Sequence, residues 1–358
     1  MPCYRSASRD GGCPFSAEQA PEGGNVERLS IIFQGPATRD GFVCPQVVSN
    51  VRRTRQVFPR SEIIVSTWYT VPETDRRLVD EMALLDVRVV LSHDPGSIVA
   101  CDASGHWVSN LNRLLVSAQT GLKCATRPLS LKMRTDTFLS GRDIEPLLRK
   151  YVLDDAGPAR DENYCIFRKR VINASWFARD PRGSLPYLFH PGDIFIAGLT
   201  SDVQLFFSAP LADSSLLSPA AMPGLWSAWR YTPEQWLWIH AIQQVTGRNE
   251  YQGNFTFTAD RIEASERYYL ANFVPFSPRQ LRFHWPKYWR CYPLRGLFSV
   301  YTHARWQRLT GEKKAESTAC FMSRQVLTWI WRRGYILRAC ALRHPLIRRI
   351  ARSLFVYR

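Results

Sequence analysis

The chain has 358 residues, 45% of them hydrophobic and 22% charged. That length and balance bury a sizeable core and exclude a disordered or fibrous protein. The net charge is +16, but 13 Lys and Arg against 2 Glu place +11 of it in residues 303–358, leaving +5 on the first 302. Basicity gathered at one end, with no recognition motif for DNA or RNA, argues against a nucleic-acid-binding body.

Residues 1–27 are rich in Gly, Ser, Pro and charge and are expected to be disordered, without the apolar stretch of a secretory signal. LSIIFQGP from Leu29 predicts a strand, and CPQVVSNVRRTRQVF (44–58) a helix stopped by Pro59. SEIIVSTW (61–68) predicts a second strand, residues 73–85 a helix, and VRVVLSHDPG (87–96) a third strand. NLNRLLVSAQTGLKCA (110–125) predicts a helix closing near Gly121, and LSLKMRTD from Leu129 a fourth strand. This alternation is the pattern of a parallel α/β sheet with crossover helices.

Further along, YCIFRKRVI (164–172) reads as a strand and HPGDIFIAG (190–198) as a loop entering a strand. SDVQLFF (201–207) starts a helix capped by its Ser or Asp. YTPEQWLWIHAIQQVTG (231–247) carries clear helix signals, with Thr232 at the cap, Pro233 in the first turn and Gly247 past the end. Residues 248–302 read as short aromatic strands or loops, and 303–358 as a basic helical tail. The apolar run at 326–342 is split by Arg332 and Arg333, so no spanning helix is expected there. The nine cysteines show neither a C-x-x-C pair nor zinc-site spacing and are expected to be reduced.

In an open α/β sheet, ligands bind outside the carboxyl ends of the strands. Those ends hold Gln34-Gly35-Pro36, Thr67-Trp68, His93-Asp94-Pro95-Gly96 and Arg134-Thr135-Asp136. No Walker A motif occurs and no G-x-G-x-x-G follows the first strand, which disfavours the usual ATP and nicotinamide sites. In LSLKMRTDT (129–137) a carboxylate, Asp136, stands among the cations Lys132 and Arg134. That set suits a divalent cation with a phosphorylated ligand, and equally suits a surface ion pair. Asn110, Asn112 and Arg113 open the helix before the fourth strand; Arg113 suits a phosphate, while Asn110 also suits a helix cap. His190, Gly192 and Asp193 make a polar knot, either metal- or substrate-binding or a simple turn. Glu234 sits beside Trp229, Trp236 and Trp238. A carboxylate among rings can have a raised pKa and act as a general base, whereas a Glu in a first turn also complements the helix dipole.

Taken together, IIFQGPAT (31–38), FPRSEIIVSTW (58–68), SHDPG (92–96), residues 110–125, LKMRTDT (131–137), HPGDIFIAGL (190–199) and PEQWL (233–237) resemble the WavE lipopolysaccharide-synthesis family of bacterial glycosyltransferases. The resemblance implies a GT-A-like, Rossmann-like fold with a mostly parallel sheet and flanking helices over residues 28–302. It implies transfer of a sugar from a nucleotide-sugar donor to a glycan or lipid-linked acceptor of a bacterial surface polysaccharide. Donor contacts then fall to Gln34, Gly35, Pro36, Thr67, Trp68, Asp94, Asn110, Arg113, Lys132, Arg134 and Asp136. A divalent cation, Mn²⁺ or Mg²⁺, falls to Asp136 and His190, although Arg134 stands where the first acid of D-x-D is usual. Glu234 and Asp193 are the candidate catalytic bases. The basic amphipathic tail, 303–358, is expected to attach to an anionic membrane surface, on the cytoplasmic face of the inner membrane. A non-catalytic assembly protein of a surface-polysaccharide complex is the second reading, supported by the missing acid. A basic nucleic-acid-binding protein is the third.

Overall fold

The computed structural model describes residues 28–102, 105–217, 229–254, 257–287 and 298–341, together with 344, 346, 347 and 350. The expectation for residues 1–27 lies outside them.

Strand β1 (Leu29–Gln34) is buried along its whole length. Strands covered on both faces read as unbroken apolar runs, which is why LSIIF was legible. A short hairpin, β2 (Thr38–Arg39) and β3 (Phe42–Val43), leads into α1 (Pro45–Val57). Its Val47, Val48 and Val51 are buried in the main core. There follow β4 (Glu62–Trp68), α2 (Pro72–Ala83) and β5 (Arg88–Ser92). A second hairpin, β6 (Ile98–Asp102) and β7 (Gly105–Ser109), intervenes before α3 (Leu111–Lys123) and β8 (Leu129–Arg134). Gly121 lies inside α3, where a Cβ would stand 2.8 Å from Ile32 Cγ2 and from Ser66 Cβ. Glycine there lets the helix sit directly on β1 and β4.

The second half departs more from expectation. After β9 (Phe138–Leu139) and α4 (Ile144–Leu148), the strand expected over 164–172 begins only at Val171, as β10 (Val171–Ala174). The residues before it have side-chain partners in place of a ladder. Asn272 Oδ1 accepts from the N–H groups of Ile166 and Phe167, and Asp202 accepts from those of Arg168 and Lys169. α5 (Thr200–Phe206), which follows β11 (Phe195–Leu199), starts before the expected Ser or Asp cap, so Leu199 holds the cap position and there is no side-chain cap. α6 (Pro233–Thr246) has the expected start, a reciprocal capping box between Thr232 and Gln235, and ends on left-handed Gly247 at φ +69°. Short aromatic strands or loops were expected next, but α7 (Ala259–Asn272) is a 14-residue helix. Its buried stripe includes Tyr268 and Tyr269, aromatic residues that read as strand formers. Strands β12 (Phe273–Phe276) and β13 (Phe283–His284) precede α8 (His303–Leu309) and α9 (Thr318–Ala341). Trp306 of α8 is fully buried in the main core, so that core extends past the boundary expected at 302.

The central sheet has seven strands in the order β12-β10-β11-β8-β1-β4-β5. Neighbours pair parallel except around β11, which runs antiparallel to both β8 and β10. The carboxyl ends of the parallel strands therefore share one edge. The reversed β11 brings its beginning, not its end, to that edge.

Candidate active site

The expected strand-end residues divide into framework and site. Gly35 adopts φ +132°, and a Cβ there would press on Thr135 Oγ1 at 3.0 Å. Thr135 N–H donates to Gln34 O (3.1 Å), and Thr135 Oγ1 donates to Pro36 O (2.8 Å). Thr67 Oγ1 accepts from Ala37 N–H, and Gln34 Nε2 donates to Ser117 Oγ of α3 (2.9 Å). Gln34, Gly35, Pro36 and Thr67 thus tie the ends of β1, β4 and β8 together as a floor. Trp68 is half-buried at the end of β4, its indole N–H meeting no acceptor among the described residues.

At the end of β8, Arg134 grips Asp136 with two hydrogen bonds, Nε to Oδ1 at 2.8 Å and Nη2 to Oδ2 at 3.0 Å. Burial pushes the Asp136 carboxyl up, but the bonds and charge of Arg134, aided by Trp285 and Lys287, outweigh it and hold the pKa below its ordinary value. The Arg134 guanidinium also lies over the Trp285 ring, 5.1 Å from its centre. Both Asp136 oxygens are thus engaged by a cation of the protein itself.

The second centre is buried. Lys132, two residues before Arg134 and on the same face of β8, is fully buried. Its Nζ donates to the carbonyl of Asp193 (2.8 Å) and stands 3.7 Å from the Asp193 carboxylate. Burial lowers the Lys132 pKa to about 8 against the pull of Asp193. Burial likewise raises Asp193 despite Lys132. His190 Nε2 stands 3.4 Å from Glu234 Oε2. Burial, reinforced by the Arg179 cation, drops His190 to about 3, so the imidazole is neutral near pH 7. Burial also raises Glu234, the first-turn residue of α6. Of the four, Glu234 is the member that reaches the surface, with a side chain 20% exposed against 0% for Lys132, 8% for Asp193 and 6% for His190. Phe177 (φ +64°) and Phe189 (φ +52°) flank this loop in the left-handed region, where bulky residues are strained. Trp238, expected beside Glu234, packs instead in the core against Phe167 and Phe273, and Trp236 donates its indole N–H to Pro210 O.

A third group closes the β5 end. Arg113 donates to both oxygens of Asp94, each at 2.7 Å, and to Ser97 Oγ and Asn110 Oδ1. Its bonds hold Asp94 below the ordinary carboxylate range. Asn110 therefore orients Arg113 and makes no side-chain cap, and Asn112 exchanges hydrogen bonds with the backbone of Ala212. Sequence reading missed Arg179, Tyr187 and Trp285, which join these groups only through tertiary folding. Arg179 sets the charge around His190 and Glu234, and its own carbon Cζ lies over the rings of Phe177 and Tyr187.

The fold and site define an α/β protein with a mostly parallel sheet and a polar, partly buried centre at its carboxyl edge. A family model described as WavE lipopolysaccharide synthesis matches residues 29–333, and the chain belongs to that family. Its role accordingly lies in lipopolysaccharide synthesis. No curated protein matches the chain.

Proposed function

We propose that the chain is a GT-A-like glycosyltransferase that moves a sugar from a nucleotide-sugar donor to a glycan or lipid-linked acceptor in lipopolysaccharide synthesis. The observation that carries this reading is Glu234, a carboxylate of raised pKa, partly exposed at the carboxyl edge and backed by a neutral His190. Such a group is a better proton acceptor than an ordinary carboxylate. The acceptor hydroxyl gives its proton to Glu234 while its oxygen bonds to the anomeric carbon. The bond from that carbon to the donor phosphate breaks, and its electron pair leaves with the nucleotide. Asp193, tied to Lys132, is the less suited base because its carboxylate is already beside a cation.

The donor lies along the edge from Asp94 and Arg113 at β5 to Arg134 at β8. That is three strand spacings, roughly 14 Å, a length suited to a nucleoside diphosphate. The residues fit a resident Mn²⁺ or Mg²⁺ poorly. Among the described residues no three His, Cys, Asp or Glu gather, Asp136 is closed by Arg134, and His190 faces Glu234. We assign the diphosphate charge to Arg134.

Among the described residues no helix is long and apolar enough to cross a membrane. α9 instead exposes Phe321, Met322, Val326, Trp329, Ile330 and Leu337, and Arg333 lies over the Trp329 ring. That composition suits attachment to an anionic lipid surface, with rings and aliphatics in the boundary and Arg on head groups; we place it on the inner membrane's cytoplasmic face.

Thermal-shift titration with a panel of nucleotide sugars, in EDTA and again in Mn²⁺, tests the catalytic reading. Stabilisation by one nucleotide series supports it. Failure of every nucleotide and nucleotide sugar to bind overturns it and leaves the non-catalytic assembly role, which the closed Arg134–Asp136 pair favours.

A further inference from the structure

Beyond the Glu234 centre, the same edge of the sheet carries a cavity of about 440 Å³. It opens where β10 and β12 end, at Ser175, Trp176 and Ser277, and α8 and α9 close it with Arg305, Arg308, Arg324 and Thr328. The size suits a sugar carrying a small charged group.

Its charge is distinctive. Arg305 is paired with the buried Asp180. Arg308 and Arg324 share a single carboxylate, Glu316, at 3.9 Å and 3.1 Å. Among the described residues these three guanidiniums form ion pairs with two carboxylates, which leaves the group one positive charge in excess inside a partly enclosed wall. Arg308 and Arg324 are 31% and 19% exposed, so they stay within reach of a ligand while being partly shielded from water. Guanidinium groups in such a setting recognise phosphate by paired, charge-assisted hydrogen bonds.

The cavity is also wired to the donor side by aromatic rings. Trp176 lines it and packs against Trp285, with ring centres 6.3 Å apart. Trp285 in turn carries the Arg134 guanidinium on its face. A ligand against Trp176 is thus one aromatic layer from the group assigned to the donor diphosphate. Trp faces suit the apolar side of a sugar ring, and Arg suits a phosphate on it.

We propose that this cavity is the acceptor subsite, and that it recognises the acceptor through a phosphate held by Arg308 and Arg324. The acceptor role rests on the glycosyltransferase reading; the phosphate site itself does not. The phosphate is carried either by a sugar or by a lipid, and the test separates the two.

Calorimetric titration of the full chain uses glucose 6-phosphate, glucose and dodecyl phosphate below its micelle concentration. At least one phosphate ester is expected to bind at least about tenfold more tightly than glucose. The tighter of the two names the carrier. The double variant Arg308→Gln/Arg324→Gln is expected to weaken that binding at least about tenfold, while UDP, GDP, ADP and CMP bind as they do to the unaltered chain. Arg308→Lys/Arg324→Lys, which keeps the charge, serves if the glutamine variant fails to fold; it should lose part of the affinity by losing the paired geometry. Equal binding of glucose and the phosphates, unchanged affinity in both variants, or displacement of the sugar phosphate by a nucleotide overturns the proposal. If no nucleotide binds at all while the phosphate ester still does, the donor reading fails, and the acceptor role falls with it, while the phosphate site stands.

Discussion

His190 Nε2 and Glu234 Oε2 stand 3.4 Å apart, one from the loop before β11 and the other from the first turn of α6. Because burial keeps the imidazole neutral, this contact is polar and not ionic. It supports the carboxylate without fixing its charge, which leaves Glu234 able to accept a proton. Glu234→Gln keeps the shape and removes that ability. Transfer is expected to fall by about 10²–10⁴-fold, with nucleotide affinity unchanged. Single-turnover transfer beside nucleotide titration checks this; near-normal turnover removes Glu234 from the mechanism.

Lys132 and Asp193 form the fully enclosed half of the centre. Lys132→Met should leave the Asp193 carboxylate buried with its main cation gone, at a cost of about 3–5 kcal/mol. Adding Asp193→Asn removes the stranded charge and should restore more than half of the loss. Urea unfolding of the single and double variants measures the coupling; additive losses would show that the pair is not a unit.

His190 makes stability depend on pH. Its folded pKa is about 3 against an ordinary 6.5. The unfolded chain therefore binds a proton that the folded chain refuses, and stability falls as pH drops from 6.5 toward 3. The slope approaches about 1.4 kcal/mol per pH unit. Asp193 and Glu234, raised by burial, act in the opposite sense while pH lies between their ordinary and raised values. His190→Gln should flatten the acid slope in urea midpoints measured across this window; an unaltered slope would assign acid sensitivity elsewhere.

Arg134 is assigned the work commonly given to a cation. Arg134→Gln is expected to weaken nucleoside diphosphate binding roughly tenfold, and EDTA to leave the unaltered chain's affinity nearly unchanged, since Arg134 already engages both Asp136 oxygens. Calorimetry in EDTA and in Mn²⁺ decides between them. Binding that appears only with Mn²⁺ would restore Asp136 as a metal ligand.

The exposed face of α9 should bind anionic vesicles. Sedimentation with phosphatidylglycerol vesicles is expected to drop severalfold for a chain ending at 317, which removes α9 but keeps buried Trp306. Equal sedimentation of the shortened and full chains would move the lipid contact off this helix. A cut at 302 is unsuitable for the test, because it opens the core around Trp306.

Much of the first half was legible because each parallel strand is an apolar run ending in a turn. Glu62–Trp68 and Leu129–Arg134 announced themselves in this way. The second half hid its order. The helix Ala259–Asn272 buries tyrosines, so its side chains resemble those of a strand. Residues 164–170 are held by Asn272 and Asp202, distant in sequence, and no local pattern reports such bonds. Within the site, Lys132 stood out as a cation inside an apolar strand. Its bond to the Asp193 carbonyl, and the approach of Arg179 and Trp285, depend on strands whose direction the sequence did not reveal.

The single reversed strand has a consequence for how the protein acquires its chemistry. Lys132 finds Asp193 only when β11 has folded back along β8, a contact between residues 61 apart in the chain. Glu234 arrives later still, on α6. Contacts of long sequence separation form slowly, since loop closure precedes their reward. A growing chain can build β1, β4, β5 and β8 and still carry Lys132 exposed and ordinary in its basicity. The Lys132–Asp193–Glu234 centre is therefore a late product of folding, and a nascent chain stalled midway holds the scaffold of the site without its buried charges.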